Sequence, residues 1–84
     1  MPVHFVYVVR CSDGSLYTGW TVDVPKRVAQ HNAGTGAKYT RSRLPVTLVY
    51  VQPCPSKKAA LHRERQIKAL SRQEKLTLMR SGIP

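Results

Sequence analysis

Acidic side chains are scarce in this chain, and one of the four has no evident structural duty. Asp13 lies in Ser12-Asp13-Gly14-Ser15, whose Asp-Gly dipeptide marks a tight turn. Asp23 is placed to cap a helix that takes Pro25 in its first turn. Glu74 completes the capping box Ser71-Arg72-Gln73-Glu74. Glu64 is left over. On a helical wheel it falls between Ala60 and Leu61, beside an apolar stripe that continues through Ile67 and Leu70, so it points toward the body of the protein. Two readings are open for it. One is an ion pair with Arg63, Arg65 or Lys68, a contact that is common and weak at surfaces. The other is a single oxygen ligand for a hard divalent cation such as Mg²⁺, beside a bound phosphate.

Arg27 and His31 stand four apart and share one helix face. A guanidinium grips phosphate bidentately at any working pH, whereas imidazole titrates near neutrality and can move protons. A solvated polar face would show the same spacing, and Lys26 beside them is one cation that chemistry does not require. Tyr7 and Tyr17 fall on two arms of a hairpin. Each is an ordinary strand residue, and a phenol titrating near 10 is a poor base without a cation beside it. Tyr39 lies among Lys38, Arg41 and Arg43, a mixture suited to a nucleic-acid backbone with a stacked base. Cys11 and Cys54 form neither a CxxC nor a zinc set, and read as small core or edge residues.

The elements that must hold these residues are legible from pattern. His4 to Arg10 is aromatic and β-branched, a strand; Leu16 to Trp20 or Thr21 resumes strand character after the turn, giving an antiparallel hairpin. Gly19 inside the second strand suggests a bulge, or something approaching the backbone closely. A helix follows Asp23 and ends near Asn32, before Ala33-Gly34-Thr35-Gly36. Residues 35–45 read as a basic loop closed by Pro45, and Val46 to Val51 as a third strand closed by Pro53 and Pro55, with Tyr50 in the core. Ser56 caps a second helix reaching about Leu70, and a last helix stops near Gly82. The order is ββαβαα: one compact α/β (α+β) domain over residues 1–84, a small sheet covered by helices.

Fourteen Lys+Arg against four Asp+Glu give a formal net charge of +10 over 84 residues. That balance calls for an anionic partner, and nucleic acid suits it best because each phosphate contact releases counterions. No apolar run approaches the ~20 residues of a membrane span, and Met1-Pro2-Val3-His4 has no signal-peptide character. A cytoplasmic protein is expected, with no membrane and no obligatory protein partner.

Taken together, these residues resemble the GIY-YIG nuclease family. Phe5-Val6-Tyr7 resembles its first motif and Tyr17-Thr18-Gly19 its second; Arg27 resembles its helix arginine and Glu64 its metal-binding glutamate. The run YTGWTVDVPKRVAQHNAGTGAKYTR is similar to small stand-alone bacterial members, and to the nuclease domain of eukaryotic subunits that cut branched DNA junctions. The resemblance implies a three-stranded antiparallel sheet flanked by helices, and phosphodiester hydrolysis with one divalent metal ion, Mg²⁺ or Mn²⁺. It implies that Glu64 holds the metal and Arg27 clamps the phosphate. Tyr17 or Tyr7 would orient or deprotonate water, His31 would assist that proton transfer, and Gly19 would admit substrate or a side chain. Two positions depart from the pattern. Phe5 stands where the name-giving glycine would be. Trp20 follows the second motif where excision-repair members carry a lysine, a role His31 could take over.

With no second domain expected to choose a substrate, binding would fall to Lys38, Tyr39, Arg41 and Arg43 in the loop, and to Lys57, Lys58, Arg63 and Arg65 on the second helix. Phosphate contacts position a strand without reading it, so structure-directed or weakly selective cutting of branched or single-stranded DNA is expected, in repair or recombination. A non-catalytic basic module for DNA, RNA or a ribonucleoprotein is the alternative.

Overall fold

The computed structural model describes residues 3–80. Strand β1 (His4–Arg10) and strand β2 (Leu16–Thr21) form the antiparallel hairpin, with Tyr7 opposite Gly19 and Val9 opposite Tyr17. Helix α1 (Val24–Asn32) follows, then a one-turn helix α2 (Lys38–Arg41). Strand β3 (Thr47–Cys54), helix α3 (Lys57–Lys68) and helix α4 (Arg72–Arg80) complete the chain. The sheet order is β2-β1-β3, all antiparallel, so β1 is central. This is the expected ββαβαα order with one short helix added.

The central position of β1 explains its sequence. Val6, Tyr7, Val8 and Val9 are all buried, because both faces of the strand are covered. Val6 and Val8 face Ala60 and Ile67 of α3, with Tyr50, Cys54 and the flanks of Leu78 and Met79 of α4. Tyr7 and Val9 face the other way, with Cys11, Val46 and the flanks of Tyr17, Val28 of α1 and Leu44. The alternation of a strand thus sends Tyr7 toward α1 and its neighbours toward α3.

The caps fall where the acids suggest. Asp23 Oδ1 accepts from the Lys26 backbone N–H at 3.1 Å, and Glu74 and Ser71 cap each other reciprocally. Ser56 accepts from the Ala59 N–H at 3.1 Å.

Two expectations need correction. Residues 35–45 are not wholly loop, since Lys38 to Arg41 close a helical turn around the buried Thr40. The third strand does not stop at Val51 but runs on through Pro53 to Cys54. Pro53 is tolerated because β3 is an edge strand, where a missing N–H faces no partner. Helix α3 ends at Lys68 with Ala69 as its C-cap, within two residues of the expected end near Leu70. The expected stop of the last helix near Gly82 lies outside the described residues.

Candidate active site

The hairpin and α1 bring Tyr7, Tyr17, Arg27 and His31 together. Tyr7 OH lies 2.8 Å from His31 Nε2, and Arg27 Nε donates to the same phenol oxygen at 3.3 Å. Arg27 also donates from Nη1 to Gln30 Oε1 at 3.3 Å, which fixes the plane of its guanidinium. Tyr17 stands edge-on to the His31 ring, with centroids 5.4 Å apart at 66°.

His31 is fully buried, so the alternative of a solvated polar face does not hold for it. Its Nδ1 is 2.8 Å from Thr40 Oγ1, and the Thr40 hydroxyl donates to Ala37 O at 3.0 Å. Each ring nitrogen thus has one hydroxyl partner, Thr40 at Nδ1 and Tyr7 at Nε2, and the tautomer sets which side donates in each pair. The Ala37 backbone N–H also donates to Nδ1, at 3.4 Å, the longest of these contacts. Burial holds the His31 imidazole below its ordinary 6.5, and the nearby Arg27 charge acts in the same direction, so the ring is neutral at neutral pH. Burial pushes the Tyr7 phenol above its ordinary 10.0; Arg27 opposes this, while Tyr17 and the Glu64 carboxylate add to it.

Two glycines exist for this cluster. A Cβ on Gly19 would sit 2.6 Å from Tyr7 OH and 2.8 Å from its Cζ, so what approaches the second strand closely is a side chain, the Tyr7 phenol. A Cβ on Gly36 would lie 2.5 Å from His31 Nδ1. Gly36, Ala37 and Thr40 escaped the sequence reading. The short spacing from His31 to Thr40 across a glycine pair was the available signal, but the glycines also read as a plain helix stop.

Glu64 occupies the flank of α3 that the helical wheel gives it. Its side chain is only 15% exposed, and Oε2 lies 3.3 Å from Lys68 Nζ, so the ion pair is real and its partner is Lys68. That ammonium is also a stand-in: it shows a cation seated on the carboxylate. Among the described residues no three His, Cys, Asp or Glu side chains gather as a cage. A hard divalent ion at Glu64 would therefore take one carboxylate from the described residues and would need its other oxygen ligands from outside the protein.

The basic residues divide by what they already hold. Arg43 donates from Nε to Asp13 Oδ2 at 3.1 Å and from Nη1 to Tyr39 O at 2.7 Å, and lies over the Tyr39 ring at 4.0 Å. Tyr17 stacks on Tyr39 with centroids 6.0 Å apart at 22°. The Tyr39 ring is thus engaged on both counts, and a stacked base would have to displace one partner. Arg63 is spent on Gln52 of β3 at 2.9 Å and on Gln66. Lys38 and Arg41 are exposed on α2. Lys57, Lys58 and Arg65 line a groove on the outer side of α3 together with Leu61 and His62, and Lys57 reaches over the Trp20 ring at 5.4 Å.

Known proteins resemble this chain over most of its length. Residues 3–77 match the family described as the GIY-YIG catalytic domain. A UPF0213 protein of Staphylococcus haemolyticus is 54% identical over 79 residues, 94% of this chain and 96% of the relative. A UPF0213 protein of Halobacterium salinarum is 58% identical over 76 residues, 90% and 99% of the two chains. The solution NMR structure of a UPF0213 protein from Bacillus halodurans is 49% identical with a TM-score of 0.58, covering 89% of this chain and 80% of that one. A second NMR structure, of a protein from E. faecalis, is 36% identical with a TM-score of 0.59, covering 93% and 88%.

Proposed function

The chain belongs to the GIY-YIG catalytic-domain family, and from that premise we propose that it is a divalent-metal-dependent endonuclease cutting phosphodiester bonds in DNA. The observation that carries the reading is the junction of Tyr7, Arg27 and His31 through one phenol oxygen, with Tyr17 beside them. A passive basic surface has no need of a buried neutral imidazole wired to an arginine.

Each residue has a role that its setting supports. Arg27 is half-buried and held by Tyr7 and Gln30, so its free N–H groups can grip a scissile phosphate and offset charge developing on the nonbridging oxygens. Tyr7 is 1% exposed and its phenol resists ionisation, so it serves as the post that aims Arg27. Tyr17 is only half-buried and lines an open cleft, which makes it the tyrosine that can orient an attacking water. His31 Nε2 meets Tyr7 on the same phenol oxygen that Arg27 holds, so the imidazole and the guanidinium are joined through one atom. Glu64 would hold the divalent metal, which would supply Lewis-acid polarisation of the phosphate. Phosphate contacts position a strand without reading its sequence, so cutting directed by the form of the substrate, branched or single-stranded, suits this small basic body, and repair or recombination would be its setting.

The deciding assay offers labelled forks, flaps, junctions, single strands and RNA with Mg²⁺ or Mn²⁺, and again with chelator. Metal-dependent cleavage that Arg27→Ala removes is the expected outcome. Salt-steep binding with no turnover on any substrate would instead make the protein a binding module.

A further inference from the structure

A cleft of about 210 Å³ opens beside Tyr17, between β2, Tyr39 and the two C-terminal helices. Lys68 of α3 and Lys75 of α4 both line it, with Leu16, Thr18 and Tyr39. Its aromatic wall is rigid, because Tyr39 is stacked on Tyr17 and pinned by Arg43, which is itself anchored to Asp13. Arg72 Nη1 donates to Gly14 O at 3.2 Å, tying α4 to the hairpin turn and holding Lys75 at the cleft. Lys68 has a second attachment: its ammonium lies 3.3 Å from Glu64, whose side chain is far more sequestered than its own.

We propose that this cleft is a phosphate subsite for the nucleotide next to the scissile bond, and that Lys68 is released into it when a divalent cation takes Glu64. The proposal rests on the nuclease reading for the identity of its ligand. Its chemistry is that of two ammonium groups converging beside a residue of the candidate site, in a space large enough for a phosphate and its sugar. Lysine suits such a role, being a compact point charge on a flexible four-carbon stem that can trade one anion for another. In the metal-free protein Lys68 neutralises Glu64. A divalent ion and the ammonium cannot both sit on that carboxylate without repelling each other, so occupancy by the ion frees the lysine for the strand. Metal binding and substrate grip are thereby coupled through one side chain. Among the described residues no carboxylate pairs with Lys75, so it holds phosphate in either state.

The test needs no cleavage, so it separates from the nuclease reading, which the substrate panel decides. Mn²⁺ is titrated into the DNA-free protein and free ion is read by electron paramagnetic resonance. Lys68→Met is expected to bind Mn²⁺ about two- to fivefold more tightly than wild type, the scale of a helical ion pair plus the relieved repulsion. Lys68→Arg, which keeps the charge, stays near wild type. Binding of a labelled single-stranded oligonucleotide is then followed against salt in Ca²⁺. Lys75→Met is expected to lower the slope of log K against log salt by about 0.7, one phosphate contact on a single strand. Arg80→Gln, at the far end of α4, is the charge-matched control. Unchanged or weaker Mn²⁺ binding in Lys68→Met, or a slope loss in Lys75→Met no larger than in the control, overturns the proposal.

Discussion

His31 is where residue chemistry and residue environment meet most sharply. Its folded pKa is depressed, so the unfolded chain binds the extra proton. The stability that follows from this is fully present above the ordinary 6.5 and is lost as pH falls through the lower folded value. An NMR titration of the His31 ring should give a midpoint below 6.5 together with a melting temperature that declines in the same range; a midpoint at or above 6.5 would contradict the buried, neutral ring. Gly19 makes a second prediction. Tyr7 is locked by Arg27 and His31 and cannot step aside for a methyl group. Gly19→Ala should therefore destabilise the fold by about 1–3 kcal/mol in urea denaturation, the usual penalty of an overpacked core. At this scale the acids were readable because caps and tight turns are local in sequence. The burial of His31 was not, since it depends on Gly36, Ala37 and Thr40 folding back over the ring. The partner of Glu64 was left among three cations, although only Lys68, four residues on, shares its helix face; Arg63 and Arg65 are its immediate chain neighbours.

Elements carry the site by their ends and edges. Helix α1 starts at Asp23, and its first turn fixes how Arg27 and His31 rotate toward Tyr7. Loss of that cap in Asp23→Ala should cost about 1 kcal/mol of stability and weaken cleavage more than an equally destabilising change in α4, because only α1 bears the arginine. Equal losses of activity for equal losses of stability would show that the cap does not set the geometry. The two first strands and the three longer helices were visible in the sequence through alternation, caps and stops. Helix α2 was hidden, being a single turn between glycines and a proline, too short to show a period. The end of β3 was hidden for another reason: a proline reads as a stop until the strand is known to lie at the edge. Pairing Tyr7 with Gly19 also required the register, which set the two tyrosines diagonal to each other rather than opposite.

Charge acts on the whole molecule. The net +10 on 84 residues predicts that log K for DNA falls linearly with log salt, and that this binding survives a chelator while cleavage does not. Binding lost on chelation would mean that the metal, not the basic surface, provides the hold. No helix among the described residues is long and apolar enough to cross a membrane. The excess of cations was plain from composition, but its division was not. Arg43 and Arg63 are taken up by the fold, while Lys57, Lys58, Arg65, Lys68 and Lys75 border open grooves. Against that surplus, one half-buried carboxylate turns attraction into a case for hydrolysis. The most direct test is single-turnover cleavage of a branched DNA in Mg²⁺ or Mn²⁺ by wild type and by purified, folded Glu64→Ala. The account predicts cleavage by the first and a loss of at least about a hundredfold in the second, the scale on which removal of a principal electrostatic catalytic group is felt. Cleavage that persists unchanged in Glu64→Ala would contradict it.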